Sequence, residues 1–175
     1  MYVGIEAGGT KFVCAAGTGP DDLSDVTTFP TTSPDETLAR TRAFVTAHAA
    51  GLEAIGVASF GPVDLREGSD TYGYITSTPK PGWSETDVVG ALRDVADVPI
   101  GFDTDVNGAA LAEATWGAAA DASSCVYVTV GTGVGGGAMV DGRLLHGLLH
   151  PEMGHVAVVR HPDDSYAGRC PFHGD

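Results

Sequence analysis

The sequence predicts an α/β protein made of two units that each open on an antiparallel hairpin. Two glycine-rich turns, Glu6-Ala-Gly-Gly-Thr-Lys11 and Thr129-Val-Gly-Thr-Gly-Val-Gly-Gly-Gly137, stand between strand-like apolar runs. Between them, strand-like and helix-like stretches alternate. After the second turn, the run from Ala138 to Leu145 passes through Asp141-Gly142, a hairpin signal that repeats the opening design and points to an internal duplication. The expected boundaries are a complete first unit over residues 1–120 and the start of a second over 121–175.

Taken in order, Tyr2 to Glu6 and Lys11 to Ala16 read as strands joined by Ala7-Gly8-Gly9-Thr10, with Val26 to Phe29 extending the meander. Ser33-Pro34-Asp35-Glu36 combines an N-cap serine, a proline at the first helical position and a glutamate at the third, so a helix should run to about Ala49 with Leu38 and Val45 buried. Ala54 to Phe60 is a buried strand closed by Gly61-Pro62-Val63-Asp64. A turn-rich stretch through Thr78-Pro-Lys-Pro-Gly-Trp83 follows, and Ser84-Glu-Thr-Asp87 should cap a second helix to about Ala96. Pro99 to Phe102 is the next strand. The alanine-rich segment from Asp103 to about Ala120, with Leu111 and Trp116, reads as a helix, and Ser124 to Val130 starts a new strand.

Composition narrows the function classes. Of 175 residues, 43% are hydrophobic and 18% charged, the profile of a folded globular chain. The net charge of −14, with Lys11 and Lys80 as the two lysines, excludes a nucleic-acid surface, because phosphate backbones attract the opposite sign. No apolar stretch approaches membrane-spanning length, and Met1-Tyr-Val-Gly-Ile enters a strand without the charged and apolar regions of a signal peptide, so a cytoplasmic protein is expected, without membrane partners. Cys14 and Cys125 lie in apolar runs and Cys170 in a polar loop, which predicts reduced thiols.

The chemistry resides in the turns. Gly131-x-Gly133-x-x-Gly136 formally matches a dinucleotide fingerprint, but that motif must open a helix, and here β-propensive residues and an Asp-Gly turn follow. A Walker spacing is also absent. Glycine hairpins can instead converge backbone N–H groups on phosphate, through Gly8 and Gly9 and through Gly131 and Gly133, with Thr10, Lys11 and Thr132 adding side-chain donors. Glu6, at a strand end, could hold a Mg²⁺ shell or simply close the strand. Asp105, between a strand and a helix, could accept a proton from a substrate hydroxyl or serve as an N-cap.

In chain order, Glu6-Ala-Gly-Gly-Thr-Lys11, Gly61-Pro62, Asp105-x-Asn107, the Gly131 to Gly137 turn and Glu152-Met-Gly-His155 resemble the motifs of ROK-family sugar kinases. The fructokinase-like branch is the nearest resemblance, through Ser59-Phe-Gly-Pro-Val-Asp64 and Gly73-Tyr-Ile-Thr-Ser-Thr-Pro-Lys-Pro-Gly-Trp83. The resemblance implies the actin-like, hexokinase-like ATPase (ribonuclease H-like) fold, with a complete first lobe and an incomplete second, and ATP and sugar in the cleft between them. It implies ATP-dependent phosphorylation of a hexose in carbohydrate metabolism, with fructose expected and glucose or an acylamino sugar as alternatives. A non-catalytic sugar sensor of the same family is the other alternative.

By the same resemblance Asp105 is the catalytic base, Gly61, Pro62, Asn107, Glu152 and His155 bind sugar, and His155, Cys170 and His173 are three ligands of a structural zinc. Its fourth ligand, a cysteine, would follow a few residues after Asp175, so the chain reads as stopping inside the metal loop, with apolar edges near Val156 to Val159 left uncovered. Family members commonly carry Asn where this chain has Thr104. The expected cofactors are therefore ATP, Mg²⁺ and Zn²⁺, and the partner a hexose, with a homodimer left open.

Overall fold

The computed structural model describes residues 1–131, 133–148 and 151–168. Strands β1 (Tyr2–Ala7), β2 (Lys11–Gly19) and β3 (Asp22–Pro30) form the antiparallel meander, and β4 (Ala54–Ser59) pairs parallel with β1. The two-residue strands β5 (Tyr74–Ile75) and β6 (Thr86–Asp87) make a separate small ladder. Strand β7 (Ile100–Thr104) pairs parallel with β4, so the main sheet runs β3-β2-β1-β4-β7. A second sheet of order β10-β9-β8 is built from β8 (Cys125–Val130), β9 (Val134–Val140) and β10 (Arg143–Leu144). This arrangement is the actin-like ATPase architecture.

Side-chain alternation decides what each face of the main sheet does. Val3, Ile5 and Ala7 of β1, Phe12, Cys14 and Ala16 of β2, and Ile55 and Val57 of β4 are buried in one core. Leu38, Phe44 and Val45 of helix α1 (Pro34–Ala47) and Val88, Val89 and Leu92 of helix α2 (Val88–Arg93) complete it. The even positions of β1 therefore face the other way. Gly4 lies beside Gly56 and Glu6 beside Ala58 in the parallel register, and helix α3 (Asp105–Trp116) crosses at Ala58: a Cβ on Gly108 would stand 2.6 Å from the Ala58 Cβ.

The helix caps match the sequence at α1 and depart from it at α2. Ser33 Oγ accepts from the Glu36 N–H, and α1 ends at Ala47, two residues before the expected limit. The second helix is capped not at Ser84 but at Asp87, whose Oδ1 accepts from the Gly90 N–H at 2.6 Å, and it spans only Val88–Arg93. Glu85 sits at φ 57°, outside any right-handed helix, and Thr86–Asp87 pair with β5 instead. Helix α3 stops at Trp116 rather than Ala120, because Gly117 turns the chain and the Glu113 carboxylate accepts from the Ala118 N–H. The Asp141-Gly142 turn has φ 49° and 75°, the two left-handed residues of a tight hairpin, as its sequence predicts.

Two buried anchors hold the long connection from β4 to α2. Trp83 is fully buried between Phe12 and Phe60, with ring centroids 5.7 and 5.4 Å away, and its indole N–H donates to the Thr32 carbonyl at 2.8 Å. Asp64, also fully buried, accepts from the Arg66 N–H, from the guanidinium at 2.9 and 2.7 Å, from Ser69 Oγ and from Thr71 Oγ1. The Arg66 guanidinium outweighs the opposing effect of burial, and with Thr71, the Arg66 N–H and Ser69 it holds the Asp64 carboxyl far below the usual carboxylate range.

A carboxyl whose folded pKa is depressed stabilises the fold above its unfolded pKa of about 4, and that stabilisation is lost as pH falls below it. Replacing Asp64 with Ala should lower stability at neutral pH by roughly 2–3 kcal/mol, the worth of hydrogen bonds to a buried charge. Urea denaturation of both forms from pH 7 down to pH 3 should show the gap narrowing on acidification. A gap independent of pH would mean that the loop is held by other contacts.

Candidate active site

The candidate residues meet where α3 begins. Thr104 is its N-cap, with Oγ1 accepting from the Asn107 N–H at 3.2 Å. Capping by Thr104 leaves Asp105 as the first helical residue, where its Oδ1 accepts from the Val106 N–H at 2.9 Å and the positive end of the helix favours an anion.

Asp105 stands between two clefts. One, of about 350 Å³, is lined by Glu6, Ala58, Val106, Gly108, Ala109, Tyr127 and Thr129 as well as Asp105. Glu6 reaches it because strand parity turns it onto the face that α3 crosses. The other, of about 160 Å³, is lined by Gly61, Thr104, Asp105, Gly135, Gly136, Glu152 and Gly154, among others. Asp105 and Val106 line both clefts, and Asp105 is the carboxylate common to the cleft beside the glycine hairpins and the cleft beside the expected sugar residues.

The first hairpin is tightly tied. Gly8 N–H donates to the Lys11 carbonyl at 3.0 Å, Thr31 Oγ1 donates to the Gly8 carbonyl at 2.6 Å, and a Cβ on Gly8 would lie 2.7 Å from the Lys11 oxygen. Thr10 and Lys11 are exposed at its tip. In the second hairpin Gly131 N–H donates to the Gly133 carbonyl at 2.9 Å. Thr132 lies outside the described residues, as do Cys170 and His173. His155 is described, with Nδ1 3.5 Å from a Glu152 oxygen, at the end of the short 3₁₀ turn Met153–His155. Among the described residues no cluster of three or more His, Cys, Asp or Glu is placed to hold a metal ion.

Asn107 is almost fully buried and fully engaged. Its amide N–H₂ donates to Asp103 Oδ1 at 3.0 Å and to the Leu145 carbonyl at 3.3 Å, and its Oδ1 accepts from the Ala138 N–H at 3.3 Å. Asp103 also accepts from the Thr104 N–H, and its other oxygen lies 2.7 Å from His146 Nε2. These bonds fasten the start of α3 to the second sheet, a role that motif reading alone did not supply for Asn107, Asp103 or His146.

The later glycines of the second turn serve packing. Gly135, Gly136 and Gly137 belong to β9, and a Cβ on Gly137 would fall 2.2 Å from the Val106 carbonyl oxygen. A Cβ on Gly154 would fall 1.9 Å from the Val134 oxygen. Tyr127 and Thr129 were also missed, although the alternation of β8 places both on one face.

A family model described as the ROK family matches residues 2–174. A fructokinase of Zymomonas mobilis subsp. mobilis is 49% identical over 179 residues, covering 99% of this chain and 60% of that relative. The chain thus spans about three-fifths of the length of the curated relatives it matches. Among solved structures, a ROK hexokinase from Thermus thermophilus matches with a TM-score of 0.74 at 31% identity, over 90% of this chain and 53% of that one. A ROK family glucokinase from Streptomyces griseus, in complex with glucose and AMPPNP, matches with a TM-score of 0.75 at 24% identity, over 90% of this chain and 51% of that one.

Gly137→Ala should lower stability by about 1–3 kcal/mol, the usual cost of overpacking, because backbone rather than a flexible side chain fills the space. Gly131→Ala, with no atom within 4 Å of the added carbon, should leave the melting temperature nearly unchanged. Thermal denaturation of both variants checks the contrast. Equal losses would contradict the packing role of β9.

Proposed function

The chain belongs to the ROK family, and from that premise we propose that it acts as an ATP-dependent hexose kinase whose sugar is fructose. The observation that carries this reading is the position of Asp105, shared by the cleft beside the glycine hairpins and the cleft that holds Gly61 and Glu152. Phosphoryl transfer needs a base between a hydroxyl and a phosphate chain, with little further covalent work for the protein. Support for the substrates comes from the fructokinase of Zymomonas mobilis and from the AMPPNP and glucose held by the Streptomyces griseus protein.

In this reading the sugar lies in the smaller cleft against Glu152, with Gly61 on its wall and His155 next in chain to the lining residue Gly154. Asp105 takes the proton of the attacking hydroxyl, the hydroxyl oxygen bonds to the γ-phosphorus, and the bond from that phosphorus to the bridging oxygen breaks, leaving ADP with the electron pair. The phosphates lie against the first hairpin tip, Gly8-Gly9-Thr10-Lys11, and against Gly131 and Gly133 of the second. Glu6 and Asp105 are the hard oxygen donors of the larger cleft, a set that suits Mg²⁺, which takes one or two carboxylates together with phosphate oxygens. When bound, the ion supplies neutralisation of the phosphate charge.

Asp105→Asn should keep hexose binding and lose about a hundredfold or more in kcat, since the amide preserves shape and removes the proton acceptor. A coupled assay over fructose, glucose and acylamino sugars, beside calorimetric sugar binding, reads both parts. Near-normal kcat in the variant would reduce Asp105 to a structural residue of the helix start. Activity confined to glucose or an acylamino sugar would overturn fructose and keep the transfer chemistry.

A further inference from the structure

We propose that Tyr127 is a further substrate-contacting residue, whose phenolic hydroxyl donates a hydrogen bond to the phosphate chain of the bound nucleotide. The inference rests on the kinase reading above and adds to it a residue that no motif marks. On β8 the side chains of Val126, Val128 and Val130 are exposed, whereas Tyr127 is half-buried and shares the opposite face with Thr129. That face turns both residues into the cleft of about 350 Å³ that also holds Glu6 and Asp105.

The register leaves the ring accessible. Tyr127 pairs with Gly137, so no β9 side chain lies directly opposite, and the Val106 carbonyl keeps position 137 from carrying one. Among the described residues the phenol oxygen makes no hydrogen bond.

The composition of the cleft says what that hydroxyl can recognise. Among the described residues its lining holds two carboxylates and no lysine or arginine, and beside Tyr127 and Thr129 the remainder is Ala58, Val106, Gly108 and Ala109. A polyphosphate entering it meets like charge, so the neutral donors on its wall carry weight, and the Tyr127 and Thr129 hydroxyls are the neutral side-chain donors there. Of the two, Tyr127 has the longer reach. A donor aimed at phosphate oxygens forms a charge-assisted bond, stronger than a neutral pair.

The test is Tyr127→Phe in the full chain, which removes one oxygen and keeps the ring. Calorimetric titration with AMPPNP and Mg²⁺ should show nucleotide affinity reduced about tenfold, the scale of one hydrogen bond to a charged group. The KM for ATP should rise or kcat fall by a similar factor, with the KM for sugar and the melting temperature unchanged. Unchanged AMPPNP affinity together with unchanged ATP kinetics would overturn the proposal, as would an effect confined to the sugar KM. A wild-type chain that binds AMPPNP through Tyr127 and turns over no hexose would support this inference and overturn the kinase reading.

Discussion

The close approach of β9 to the first turn of α3 is the constraint on which the site depends. Gly137 admits the Val106 carbonyl where any Cβ would collide, and Gly108 admits Ala58 on the other side of the helix. Helix α3 is thereby set between the main sheet and the second sheet, with little freedom to shift along either. Asn107 then fixes the register by spending its amide on Asp103, Leu145 and Ala138. A buried amide that lost one of these partners would leave a polar group unsatisfied at a cost of about 1–3 kcal/mol, so the network favours one arrangement of helix and sheet.

The electrostatic consequence is a concentration of acid at one place. Glu6 arrives through the parity of β1, Asp105 through its position in the first turn of α3, and Asp103 through the end of β7. Asp103 is occupied by Thr104, Asn107 and His146, which separates it from the other two in function. The carboxylates lining the larger cleft are Glu6 and Asp105, and Ala58 and Gly108 line it with them. Like charges gathered beside glycine hairpins suit a ligand that brings its own cation.

Much of this was legible in the sequence, for physical reasons. The meander, α1 and the Asp141-Gly142 turn follow from strong local signals: alternation, a serine–proline–glutamate start and a left-handed dipeptide. The extent of α2 was not legible, because Asp87 competes with Ser84 as a cap and the pairing of Thr86–Asp87 with Tyr74–Ile75 is a tertiary event. Asp105 was readable from its motif, but its place between two clefts needed the crossing of α3. The split within the second glycine run, between hairpin tip and close-packed strand, has no local signature, since glycine serves both. Val156, Val158 and Val159 are exposed. Tyr127 and Thr129 could have been found by asking which face of β8 meets the helix.

The proposed position of Asp105 is between a sugar hydroxyl and the terminal phosphate of ATP. A crystal structure with fructose and Mg²⁺·AMPPNP measures it directly. The attacking hydroxyl is expected within about 3 Å of an Asp105 oxygen, hydrogen-bond reach for a general base, with the phosphates against the Gly8 and Gly131 hairpins. A sugar hydroxyl held instead by Glu6 or Asp103, with Asp105 turned away from it, would rule that position out.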